Sequence, residues 1–147
     1  MTDNLLCATV SVRGVILDYR GRVLTLQRTT DGKWELPGGR LGRGEQTKKG
    51  LCREIHEETS LTVKVKDIVK ANSWINTEGN GRFAVHYLCY TAERTVDLSE
   101  EHVDSAWRLP EETAQVLRES QTVAVHAATS SRTNNNNMTD HTSPAQD

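Results

Sequence analysis

Gly39-Arg-Leu-Gly-Arg-Gly-Glu45-Gln-Thr-Lys-Lys-Gly-Leu-Cys-Arg53-Glu54-Ile55-His56-Glu57-Glu58-Thr59-Ser60-Leu61 joins a glycine-dense loop to a charged segment with helical periodicity. Leu51, Cys52, Ile55 and Thr59 recur at helical spacing, which predicts a helix over Gln46–Thr59 with one apolar side. Gly50 weakens that helix by about 1 kcal/mol relative to alanine. On the same wheel Glu54, Glu57 and Glu58 share an arc of about 100°. Glu54 and Glu58 are an i,i+4 like-charge pair, and no lysine four residues further on relieves either. Arg53 reaches Glu57, but one arginine does not neutralise three carboxylates, whereas a divalent cation would. Hard cations such as Mg²⁺ take protein carboxylates together with substrate phosphates. The preceding glycines let backbone groups approach such an ion and its phosphates closely. From the three glutamates alone, the competing reading is a solvated acidic helix after a flexible loop.

The full spacing separates these readings. Gly39, Glu45, Arg53, Glu54, Ile55, Glu57, Glu58 and Leu61 stand at the offsets of G-x5-E-x7-R-E-U-x-E-E-x-G-U, with U aliphatic, so the stretch resembles the Nudix box. From average residue frequencies, eight such matches from one start arise by chance less than roughly once in a million. Ser60 departs from the pattern, standing where the family has glycine. A left-handed backbone is common at a helix C-terminus, and serine there costs about 1 kcal/mol.

The resemblance implies an α/β fold, a Nudix-type α/β/α sandwich around a mixed β-sheet. It also implies a metal-dependent hydrolase cleaving a phosphoanhydride bond in a nucleoside triphosphate or other nucleoside diphosphate derivative. By similarity, Glu57 and Glu58 are metal ligands, joined by the Gly38 carbonyl. Glu54 is implied as a metal ligand and as the general base, and Arg53 as the catalytic arginine that holds the carboxylates in position. Glu45 is expected to pair within the loop–helix junction. Trp34-Glu35-Leu36-Pro37-Gly38-Gly39 resembles the lead-in of MutT-like members. In those members a carboxylate about six residues before a tryptophan often joins the metal site. Glu101 stands so before Trp107, with the adjacent Glu100 as the alternative. The implied cofactor is Mg²⁺, with Mn²⁺ as the substitute. A catalytically silent domain that senses a nucleotide is the other reading, but such domains usually lose box carboxylates and this chain keeps them.

Working outward, Ala8–Leu17 and Val23–Gln27 read as strands around the turn signal Asp18-Tyr-Arg-Gly21. Leu61–Val69 and Ala71–Thr77 are β-like, and Glu78-Gly-Asn-Gly81 signals a hairpin into Arg82–Ala92. A short strand is expected around Ser105–Arg108, then a helix opened by Pro110 and running to about Arg118. In Arg82–Ala92 the alternation covers both faces, and His86 is expected to be a satisfied structural histidine. Arg28 is read as a phosphate contact or a surface arginine, Trp34 as packing more than base stacking, and His102 as a weak catalytic candidate. From Val123 the chain offers almost no large apolar side chain, so residues 1–120 are expected to be the folded domain and 121–147 a disordered tail.

With 147 residues and a net charge of −2, the sequence suits one domain with a small-molecule nucleotide-like diphosphate as partner, and disfavours nucleic acid. Cys7, Cys52 and Cys89 are odd in number and widely spaced, which suits reduced core thiols in a cytoplasmic protein. No apolar run approaches the roughly 20 residues of a membrane span. The oligomeric state is not legible in the sequence.

Overall fold

The computed structural model describes residues 4–130. In chain order the strands are β1 (Ala8–Leu17), β2 (Val23–Arg28), β3 (Trp34–Glu35), β4 (Gly38–Arg40), β5 (Lys64–Ile75), β6 (Gly81–Tyr90) and β7 (His102–Arg108). Helix α1 (Thr47–Thr59) lies between β4 and β5, a 3₁₀ helix spans Pro110–Gln115, and a second helix, α2, runs over residues 119–130.

Strand β1 organises the sheet because it is apolar on both faces. Val12 and Ile16 fall in one buried cluster and Val15 and Leu17 in another, as period-2 alternation requires. One edge of β1 pairs in parallel with β6, from Ala8↔Gly81 to Leu17↔Tyr90. Its other edge is divided between β4, opposite residues 11–13, and β2, at Leu17↔Val23; both pairings are antiparallel. The outer strands β3 and β7 both pair with β2, and β5 pairs with β6. The sheet is therefore mixed.

Each face of this sheet carries a helix. Leu51 and Ile55 of α1 are fully buried against Val12, Leu24, Val85, Tyr87 and Cys89. Gly14 permits the contact, since a Cβ there would sit 3.2 Å from both Ile55 Cδ1 and Cys89 Sγ. On the opposite face Ala124, Val125 and Ala128 of α2 pack on Val15, Leu17, Val23, Leu36 and Leu88. This is the expected α/β/α sandwich.

Four sequence expectations need correction. The boundary at residue 120 is misplaced: residues 121–130 lie in α2, because two alanines and a valine suffice when the helix must approach a sheet closely. The remainder of the expected tail, 131–147, lies outside the described residues. The helix expected from Pro110 to Arg118 is instead the short 3₁₀ segment, after which α2 begins. The two strands read over 61–77 are one strand, β5, with register irregularities between Val65 and Lys70. Of the three cysteines only Cys89 is a core thiol; Cys52 is half-buried and Cys7 exposed.

Candidate active site

Loop and helix are fastened by one arginine. Arg53 Nε donates to Glu45 Oε2 at 2.6 Å and Nη2 to Glu45 Oε1 at 3.0 Å, a bidentate pair. The Gly42 N–H adds a further bond to Glu45 Oε1. Arg53 also reaches Glu57 at 3.1 Å and Glu54 at 3.2 Å. The Arg53 hydrogen bonds, helped by Gly42, hold the Glu45 carboxyl down at about 2. Gly50, read as a weak point of the helix, makes this junction possible: a Cβ there would lie 2.5 Å from Leu41 Cδ1 and 3.0 Å from the Glu45 carboxyl.

The glycine pair before the helix has a steric reason. A Cβ at Gly38, whose φ is +146°, would meet the Val12 carbonyl oxygen at 2.1 Å. At Gly39 a Cβ would meet the Glu54 carboxylate at 2.5 Å. The Gly38 N–H donates to Glu58 Oε1 at 3.0 Å. Ser60 closes α1 in the left-handed conformation, φ 65° and ψ 7°, with its N–H on the His56 carbonyl. The carbonyls of Glu58 and Thr59 accept from the N–H groups of Ser99 and Asp97. That segment leads into Glu101, which is pinned by its own carbonyl accepting the Thr29 N–H at 2.9 Å. The neighbouring Glu100 carbonyl accepts from Thr29 Oγ1.

These attachments bring a carboxylate oxygen of Glu58, one of Glu101 and a nitrogen of His102 within 4.8 Å of one another. His102 is buried, and its Nε2 lies 2.8 Å from Glu35 Oε2. Glu35 is held in turn by Arg13 at 3.4 Å and Arg28 at 3.9 Å. Burial pushes the Glu35 carboxyl up, but the His102 hydrogen bond and the Arg13 and Arg28 charges outweigh it and leave it below its ordinary value. Glu58 is the opposite case: burial raises it to about 7 against the Gly38 N–H and the charges of His102 and Arg13. Burial also raises Glu54, which faces the charges of Glu57 and Glu101. The cluster borders a cavity of about 370 Å³ whose wall includes Arg13, Arg28, Gly38, Gly39, Arg40 and Glu58.

Of the residues singled out in the sequence, Arg28, Gly38, Glu58, Glu101 and His102 line this cavity, and Glu101 rather than Glu100 joins Glu58. Glu54 lies against Gly39 beside it. Glu57 is the most exposed of the helix glutamates and turns toward Arg53. Trp34 packs against the α2-side core with the Arg108 guanidinium 4.4 Å above its ring. His86 is buried but not satisfied as expected, because its Nδ1 has no partner among the described residues. Sequence reasoning missed Glu35 and Arg13, and gave His102 little weight. Their association spans β1, β3 and β7, and no local spacing signals it.

Does this donor set fit a divalent cation? The buried Glu58 carboxyl, raised by desolvation, is a group that a cation would stabilise in its ionised form. Glu101 supplies a second carboxylate, and the buried His102 Nδ1 has no hydrogen-bond partner among the described residues. The residues fit.

Comparison with known proteins shows the family of the chain. The family model of the NUDIX domain matches residues 8–136. A "MutT-like protein" of Streptomyces ambofaciens is 33% identical over 111 residues, covering 76% of this chain and 70% of its own length. "Nucleoside triphosphatase NudI" of Salmonella heidelberg is 31% identical over 120 residues, 75% of each chain. The crystal structure of a MutT protein from Methanosarcina mazei Go1 superposes with a TM-score of 0.74 at 26% identity, covering 87% of this chain and 97% of the other.

Proposed function

Since this chain belongs to the NUDIX family, and is a hydrolase of nucleoside diphosphate derivatives, we propose that the Glu58–Glu101 cavity cleaves a phosphoanhydride bond of a nucleoside triphosphate in a divalent-cation-dependent reaction. The observation that carries this reading is the convergence of two glutamates from distant segments, one of them buried, on a cavity walled by Arg13, Arg28 and Arg40. Carboxylates without a cation would repel a polyphosphate, so this reading calls for a divalent ion at the cluster. Glu58 and Glu101 would hold that ion together with the Gly38 carbonyl, and Glu57 would join them on leaving its exposed pair with Arg53. When bound, it neutralises phosphate charge and makes water easier to deprotonate.

The protein's own groups supply the rest. Arg13, Arg28 and Arg40 face the phosphates, and Arg28 and Glu35 also border an adjoining cavity of about 680 Å³ with room for the rest of the substrate. Burial lifts the Glu54 carboxyl above its ordinary range, which makes it the best general base. Arg53 positions Glu54 and Glu57 through the contacts described above. The complete set of Arg53, Glu54, Glu57 and Glu58 favours turnover over ligand sensing. Three free cysteines among the described residues favour a cytoplasmic setting.

Product release from nucleoside triphosphates, nucleotide sugars, ADP-ribose and dinucleoside polyphosphates, each with Mg²⁺ and with EDTA, tests the proposal. Cation-dependent release from triphosphates is expected. Release from another group alone would correct the substrate, and silence across the panel with an intact fold would point to the sensing reading.

A further inference from the structure

We infer that His102 supplies an imidazole nitrogen ligand to the cation held by Glu58 and Glu101, so that this position favours a first-row transition ion such as Mn²⁺ over Mg²⁺. The inference rests on the cavity being a cation site and adds the donor that sets the ion's identity.

Its geometry comes from both ends of the ring. Nε2 lies 2.8 Å from Glu35 Oε2, and that carboxylate is flanked by the guanidinium groups of Arg13 and Arg28. A carboxylate so placed accepts, which in the neutral ring puts the hydrogen on Nε2 and leaves a lone pair on Nδ1. Nδ1 is fully buried and has no hydrogen-bond partner among the described residues. A buried acceptor is rarely left empty. One carboxylate oxygen of Glu58, one of Glu101 and one ring nitrogen of His102 lie within 4.8 Å of one another, close enough to surround one ion. A carboxylate that orients a histidine by its far nitrogen, while the near nitrogen meets a metal, is a recurrent arrangement that fixes the tautomer and raises ligand basicity. Magnesium prefers an all-oxygen shell, whereas imidazole suits transition ions. A mixed oxygen and nitrogen set therefore discriminates between them.

Electron spin-echo modulation of the full chain loaded with Mn²⁺ alone reads this out without turnover. Direct nitrogen coupling is expected, and feeding ¹⁵N-histidine should convert it from the ¹⁴N to the ¹⁵N pattern. His102→Gln should abolish the coupling and weaken Mn²⁺ binding at least about tenfold, with Mg²⁺ binding changed far less. Glu35→Gln keeps the nitrogen ligand but loosens its orientation, so coupling should persist with Mn²⁺ affinity lowered about tenfold or more. Bound Mn²⁺ without imidazole coupling, or coupling that survives His102→Gln, overturns the inference and leaves the hydrolase reading standing. Failure of the unaltered chain to bind Mn²⁺ at all overturns both.

Discussion

Acidification should destabilise this protein through His86, a residue away from the cation cluster. Its side chain sits in β6 on the face toward α2, 3% exposed. Burial pushes its pKa down from 6.5 to about 4, helped by the positive charges of Lys70 and Arg13. The native state thus keeps His86 neutral over a range where the unfolded chain binds a proton. Stability from this group is complete above about pH 6.5 and is lost as pH falls toward 4, below which both states are protonated. At about 1.4 kcal/mol per unit, that gap corresponds to a loss of about 3 kcal/mol. Against a total stability of about 5–15 kcal/mol the effect is readily measured. Urea unfolding of the parent chain and of His86→Gln, each from pH 7.5 to 4.5, isolates it, because all other titrations cancel in the difference. Over that window the difference should grow by about 2.5 kcal/mol as pH falls, always to the detriment of the parent. A flat difference, or an imidazole NMR titration midpoint near 6.5, would refute the assignment of His86 as a desolvated neutral residue.

Three substitutions probe the site and its helix. Glu57→Gln should lower cation-dependent turnover at least a hundredfold, since a ligand is worth several kcal/mol of charge stabilisation. Its exposed pair with Arg53 is worth less than about 1 kcal/mol, so melting should barely change; retained turnover would remove Glu57 from the metal assignment. Gly39→Ala drives a methyl to 2.5 Å from the Glu54 carboxylate. Displacing that group by about 1 Å should cost on the order of a hundredfold in kcat; unaltered kinetics would show that Glu54 has no exacting position. Ser60→Gly relieves the left-handed backbone at the end of α1 and should add up to about 1 kcal/mol to unfolding free energy without affecting turnover.

How much of this was legible in the chain depends on how far apart the cooperating residues lie. Helix α1, its loop and the Glu45–Arg53 pair sit within about twenty consecutive residues, where spacing alone encodes who meets whom. The left-handed Ser60 was legible for the same reason. The α2 helix was not: with Ala124 and Ala128 at its contact face, it lacks the large apolar stripe by which a helix announces itself. Small residues are what a close approach to Leu17 and Leu88 requires, and composition reads that as weakness. The grouping of Arg13, Glu35 and His102 was also hidden, because β1, β3 and β7 are brought together only by the pairing of β2. His102 carries no motif of its own; its neighbour Glu101 was found only through its distance from Trp107.

The parallel pairing of β1 with β6 also bears on how the molecule assembles. Its partners are 73 residues apart at every rung, whereas β1 meets β2 across a turn of a few residues and β5 meets β6 across another. Closing the longer loop costs about 2 kcal/mol more than closing the short β1–β2 turn. Two local hairpins can therefore form early, with α1 in the span between them. Docking β1 against β6 is the slow, long-range event, and it buries Ile55 between the halves. The Glu58 carboxyl meets Gly38 of β4 and the Glu101–His102 segment at the start of β7, whose sheet partners are β1 and β2, so the site gathers on the β1 side of that joint.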